Sequence, residues 1–261
     1  AVGMAGSGVG ARQQVQRDFA RRDAALRRAL AAGAATLWFE HDLYDQLQLL
    51  QLLDAFAGAG VRPRLAQLEV EYLGQLGPDA VRALAGRVRD VGDAALALAA
   101  RAWAAFRAPE PVAFAALLDE DTAAMPHLAP AVRRMLEEYP DSRAGLSRTE
   151  RAALEALMVE PRTIAELFAD VSRREERSWL GDASFAGYLA ALAAGDAPLL
   201  RAVDDGPLGV PYVDALPRFL SRRVALTPLG ERAIAGAADR IAEHGIDCWI
   251  GGGHLEGAEV A

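Results

Sequence analysis

An apolar, aromatic run that ends in charge and passes without a linker into a leucine-rich helix constrains this chain more than any other feature: Thr36-Leu-Trp-Phe-Glu-His-Asp-Leu-Tyr-Asp-Gln-Leu-Gln-Leu-Leu-Gln-Leu-Leu-Asp54. Residues 36–40 are aromatic and β-favouring, which reads as a short strand. Asp42 is placed to cap the following helix by accepting from the backbone near Asp45. Leu43, Leu47, Leu50 and Phe56 form its expected buried stripe, with Gln46, Gln48 and Gln51 largely off it. Gly58, Gly60 and Pro63 close the helix, and residues 65–72 alternate like a second strand. A strand-helix-strand unit of this length allows a right-handed parallel crossover. Two strands cannot hide both faces, so the pair is expected to belong to a larger sheet.

In open α/β sheets ligands bind at the carboxyl ends of the strands, and this corner is crowded with polar groups. Glu40, His41, Asp42 and Asp45 are the catalytic candidates, and Tyr44 and Gln46 are ligand-binding candidates. A histidine beside a carboxylate is a base with its tautomer fixed and its basicity raised. The same groups suit a divalent ion, yet their spacing matches no ligand signature, so no metal residue is assigned. Two distant segments join glycine to polar groups and add Asp182, Trp249, Gly251, Gly252 and His254 as ligand-binding candidates. The structural alternatives are a helix cap at Asp182 and a turn at residues 251–253. Residues 247–250 are expected to return as a strand beside residues 36–40, bringing His254 near His41.

All 28 basic residues are arginine. Schiff-base, pyridoxal phosphate and P-loop chemistry are therefore excluded, since each needs a lysine amine. No cofactor is named by any motif. A net charge of -8 argues against a sequence-independent grip on nucleic acid or anionic lipid. The single cysteine, Cys248, permits no intrachain disulfide and reads as a small buried hydrophobe. Residues 1–10 lack a charged-then-apolar signal pattern, and no apolar run approaches a membrane span. A soluble, cytoplasmic protein is expected.

Residues 11–32 read as an amphipathic helix with Phe19, Leu26 and Leu30 at helical spacing, ended by Gly33. From residue 78 to 139 the pattern is helical, with 88–107 as the longest run, prolines 109, 111, 126 and 130 marking helix starts, and Trp103 and Phe106 as core anchors. Two capping boxes follow, Ser147-Arg-Thr-Glu150 and Thr163-Ile-Ala-Glu166. A third helix starts after Gly181-Asp182; strands at 198–203 and 222–226 flank a Pro- and Gly-rich loop, and Thr227-Pro228 opens a last helix. That order is the order of a winged helix. Its groove-reading element would be the third helix, but residues 178–200 contain no basic residue, which argues against DNA recognition. Arg218, Arg222 and Arg223 near the wing are the only features in its favour.

The expected fold class is α/β plus mainly α. A partial Rossmann-like parallel sheet (1–76) leads through a helical connector (77–144) to a winged-helix-like domain (145–244), and a C-terminal segment (245–261) returns to the first sheet.

The segments Leu37-Trp-Phe-Glu-His-Asp-Leu-Tyr-Asp-Gln-Leu-Gln-Leu, Tyr72-Leu-Gly-Gln-Leu76, Gly145-Leu-Ser-Arg-Thr-Glu150, Leu180-Gly-Asp182 and Trp249-Ile-Gly-Gly252 occur in that order. In this the chain resembles a bacterial family catalogued as domain of unknown function 1835, over residues 36–255. The resemblance implies no established activity. Members of that family typically carry an Asn-Gly-Asp-Ser-like motif on an upstream strand and a Trp-rich end. Neither is found here, which suggests a fragment or a divergent member.

The leading functional expectation is binding of a small-molecule or nucleotide-like ligand at residues 40–46, with hydrolase or transferase chemistry. The alternative is a non-catalytic regulatory or interaction module. Expected partners are a small molecule, another protein or a second copy, without DNA or membrane.

Overall fold

A computed structural model describes residues 9–69, 72–211 and 215–257. The chain is mixed α/β and predominantly helical, and it divides into two compact units, Gly6–Arg134 and Met135–Ala261. The division falls within the segment expected as a connector, so that residues 77–134 group with the parallel pair.

In the first unit, α1 (Val9–Ala32) precedes β1 (Thr36–Glu40), α2 (Leu43–Gly58) and β2 (Arg64–Leu68). β1 and β2 pair in parallel from Thr36↔Arg64 to Glu40↔Leu68, as the strand-helix-strand pattern requires. A single 3₁₀ turn at Leu73–Gln75 leads to α3 (Pro78–Leu84). Residues 70–71, in the expected extension of the second strand, lie outside the described residues. The long helix expected at 88–107 is a correction. Arg89 and Asp90 form β3, antiparallel to β2 through Arg64↔Asp90 and Leu65↔Arg89, and Gly92 then caps α4 (Asp93–Phe106). A short edge strand wins over helical periodicity because Val91 N–H donates to Pro63 O and extends the ladder. The sheet thus has three strands in the order β1-β2-β3, and β1 has no partner on its other edge among the described residues.

α2 packs on α4 and supplies most of this core, with Leu49, Leu50, Leu53 and Phe56 fully buried along with Leu98, Ala99 and Ala102. Each such leucine contributes roughly 2 kcal/mol of burial. The buried stripe of α2 differs from the sequence reading. Gln46 and Leu49 lie inside it, whereas Leu47 is only half-buried. Trp103 and Phe106 are half-buried, in a ring series with Phe114 at 5.7 and 5.4 Å between centroids. α5 (Val112–Ala116) and α6 (Leu128–Leu136) complete the helices up to the division.

The second unit continues with α7 (Arg148–Ala156), β4 (Arg162–Thr163), α8 (Ile164–Arg173), α9 (Asp182–Leu192), β5 (Leu200–Ala202), α10 (Leu216–Leu220), β6 (Arg223–Leu226) and α11 (Pro228–Ile234). Both capping boxes form, at Ser147/Glu150 and Thr163/Glu166, and Thr227 caps α11 with Pro228 in its first turn. β6 lies between β4 and β5, antiparallel to both. The core of this unit is continuous through Leu154, Ile164, Leu167, Phe185, Leu189, Leu199 and Val224. α11 sits so close to the strand end that a Cβ on Gly230 would stand 2.2 Å from Leu199 O.

After α12 (Arg240–His244), β7 (Ile246–Ile250) pairs antiparallel with β8 (Gly253–Gly257). The expected return of residues 247–250 to β1 is thereby overturned. Gly251 takes φ 59°, which a two-residue hairpin turn needs at its first central position, so β7 finds its partner locally at little entropic cost. Among the described residues, no helix is long and apolar enough to cross a membrane.

Candidate functional site

The corner at the carboxyl ends of β1 and β2 is built by the start of α2. Asp42 is extended at φ -80°, ψ 172°, and its Oδ1 accepts from Asp45 N at 3.1 Å, so the cap forms as the sequence requires. That turn directs Asp45 back to the strand, where its Oδ2 accepts from Glu40 N at 2.5 Å. Glu40 Oε1 in turn accepts from Leu73 N at 2.6 Å, which ties the 3₁₀ turn to the strand end. Gln46 is fully buried: its Nε2 donates to Glu40 O and its Oε1 accepts from Gln67 Nε2, both at 2.9 Å. Gln46 therefore braces α2 against both strands. Tyr44 points outward and is exposed.

Glu40, Asp42 and Asp45 bring one carboxylate oxygen each within 4.8 Å of one another, and none of the three forms an ion pair with an arginine among the described residues. Burial, followed by the nearby charges of Asp45 and Glu40, pushes the Asp42 carboxyl up to about 6. Amide hydrogen bonds from Asp45 and Tyr44 pull it the other way and do not prevail. Burial also raises Asp45, against the hydrogen bond from Glu40. The corner is thus poised to accept a proton, a cation or hydroxyl donors, and any phosphate of a ligand would have to lie away from the three carboxylates.

His41 Nδ1 donates to Leu68 O at 3.1 Å, which places the imidazole beside the end of β2. Its ring lies 5.5 Å from that of His127, tilted by 58°. His127 is buried, and its Nε2 stands 3.6 Å from Glu69 Oε1. Sequence reasoning missed both of these residues. Glu69 follows β2 as His41 follows β1, so the strand-end rule applied to the second strand finds it. His127 has no local signal, since it comes to the corner from a turn before α6.

The remaining candidates lie in the second unit. Asp182 is the first residue of α9 behind an N-cap at Gly181, and its Oδ1 accepts from Ala183 N at 2.7 Å. The expected cap is therefore one residue earlier. Trp249, Gly251, Gly252 and His254 share the β7-β8 hairpin: the two rings stack at 4.6 Å and 7°, and His254 Nε2 meets Asp247 Oδ1 at 2.8 Å. Cys248 is half-buried on the opposite face of β7, where burial raises its thiol. A separate cleft of about 530 Å³ lies between β4, β6 and α8, lined by residues that include Arg162, Glu166, Arg173 and Arg223 and by none of the predicted ones. No family profile, curated protein or solved structure matches the chain.

Proposed function

We propose that the chain binds a small, hydroxyl-bearing ligand of nucleoside or nucleotide type at the corner formed by residues 40–46, with His41 and Asp42 as the groups that exchange protons. The observation that carries this reading is the carboxylate cluster where β1 passes into α2, which has no arginine ion pair among the described residues, with Asp42 pushed up to about 6. Carboxylates at this place in α/β sheets accept the hydroxyls of a ribose. A group titrating near neutrality serves hydrolytic or transfer chemistry in either direction. In the same reading the first unit is Rossmann-like and the protein cytoplasmic. The second unit is winged-helix-like, used for packing or protein contact, which the element order and the central position of β6 support. The chain is then a divergent relative of the family known as domain of unknown function 1835.

A second reading, a non-catalytic regulatory module, draws on the hydrogen bonds that Asp42, Asp45, Gln46 and His41 make within the chain. Thermal shift with a panel of nucleosides, nucleotides and divalent ions separates the two. Asp42→Asn is the informative variant, because asparagine caps a helix as well as aspartate and removes only the titrating group. A ligand at 100 times its Kd stabilises the folded state by about 2.7 kcal/mol. The proposal expects such a shift in the wild type and its loss in an Asp42→Asn protein that is no less stable. No shift from any compound supports the regulatory module.

A further inference from the structure

α1 is the one long element of the first unit that packs extensively along no other helix or strand among the described residues. Val15 is 41% and Phe19 52% exposed, while Leu26 and Leu30 are half-buried. The N-terminal half of the helix therefore leaves its apolar side chains in water, although tertiary burial supplies most helical stability. Projected at about 100° per residue, Val15, Phe19, Leu26 and Leu30 fall within an arc of roughly 60°. Arg22 and Arg27 flank that seam on either side, and Arg17, Arg21 and Arg28 lie across from it.

The charge of the helix is opposite to that of the chain. It contains six arginines and two aspartates in a protein of net charge -8. Its own acids are engaged: Asp18 accepts from Gln14 at 3.0 Å and lies 3.5 Å from Arg21, and Asp23 pairs with Arg22 at 3.0 Å. Arg22 also stacks over Phe19 at 4.8 Å. Arg27 and Arg28 form no ion pair among the described residues.

We propose that α1 is a docking helix for an acidic amphipathic helix of another protein. The seam is as narrow as a coiled-coil contact, and its flanking arginines select carboxylates at the facing positions. A lipid surface fits less well, because an interfacial helix buries a broad apolar face and here the seam is narrow with arginines behind it. A second copy of α1 would set arginine against arginine. Nucleic acid would meet the arginines and leave Val15 and Phe19 in water.

The test uses the full chain and a synthetic four-heptad peptide with leucine along its seam and glutamate at the flanking positions. Titration calorimetry is expected to give a one-to-one complex that weakens at least tenfold between 50 and 500 mM salt, on the order of the screening expected for flanking charge pairs. Val15→Ser with Phe19→Ser is expected to abolish binding and leave thermal unfolding unchanged, because both side chains are exposed. Arg22→Gln with Arg27→Gln is expected to weaken binding and flatten its salt dependence. A control peptide with serine along its seam is expected not to bind. Absence of peptide binding overturns the proposal. So does equal binding of the serine control, binding only to phosphatidylglycerol vesicles or RNA, or self-association of the chain that the Val15 and Phe19 replacements remove.

Discussion

Each unit gathers buried acids, and the two solve the problem of burying them differently. In the second unit, Glu138 accepts from Thr149 Oγ1 at 2.6 Å and from Tyr188 OH at 2.7 Å, while Glu150 closes the Ser147 capping box and lies 3.4 Å from Arg240. Nearby, Asp141 is held below the usual carboxylate range by Arg151 and by the amides of Ala144 and Arg143, despite partial burial. Hydroxyls and guanidinium groups answer the acids there. At the β1-α2 corner, the buried Asp42 and the half-buried Glu40 and Asp45 share one place, and among the described residues backbone amides alone are seen to answer them. Buried charge that is fully partnered specifies a fold, whereas buried like charge without a cation costs stability and is kept where a site needs it.

That contrast is open to direct attack. The largest effect is expected in the second unit: Glu138→Ala removes the acceptor of the buried Thr149 hydroxyl and of the half-buried Tyr188 hydroxyl and costs about 3 kcal/mol in urea unfolding. A loss below roughly 1 kcal/mol, the worth of a single ordinary hydrogen bond, would show that this network holds little together. At the corner the sign reverses. Asp42→Asn combined with Asp45→Asn keeps acceptors for both amides and removes like charge, so stability at pH 7 rises by about 1–2 kcal/mol while ligand response is lost, the trade expected of a functional site. A destabilised double variant would class the corner with the structural network.

A smaller effect comes from pH. The folded-state value of Asp42 lies above its unfolded value of 3.8, so the folded protein binds the proton more tightly. The resulting stability is fully present below pH 3.8 and is lost as pH rises through about 6. The rise to about 6 is worth on the order of 1 to 3 kcal/mol, the lower figure applying where water screens the corner. Unfolding followed between pH 4 and 7 should show this slope in the wild type and lose it in Asp42→Asn. The smallest effects serve as controls: Arg101→Gln and Arg201→Gln break exposed pairs with Glu120 and Asp205, one in each unit, and should each cost less than about 0.5 kcal/mol. Equality of these two controls assigns the difference between the units to burial.

Much of this arrangement was legible in the chain. The β1-α2 corner, the Asp42 cap, the parallel pairing and both capping boxes follow from local chemistry, because each is decided within a few residues. β3 was not legible, since two residues of strand are chosen by the neighbouring ladder against the helical periodicity of their own sequence. Gln46 reads from sequence as a ligand contact lying largely off the buried stripe, because its burial depends on the distant Gln67 and on the Glu40 carbonyl across the strand-helix corner. The β7-β8 hairpin was marked by Gly251 and Gly252, and the expectation that β7 pairs with β1 gave a distant partner precedence over the adjacent one. His127 reaches the corner through tertiary structure alone.

The most direct test of the unneutralised corner is a ¹³C carboxyl titration of Asp42 by NMR in the wild type and in Asp45→Asn. The account predicts a midpoint near 6 in the wild type and a lower one in the variant, because a neighbouring charge has been removed. A wild-type midpoint near 3.8, unmoved by the variant, would mean that the corner carboxylates are solvated like surface acids and would contradict it.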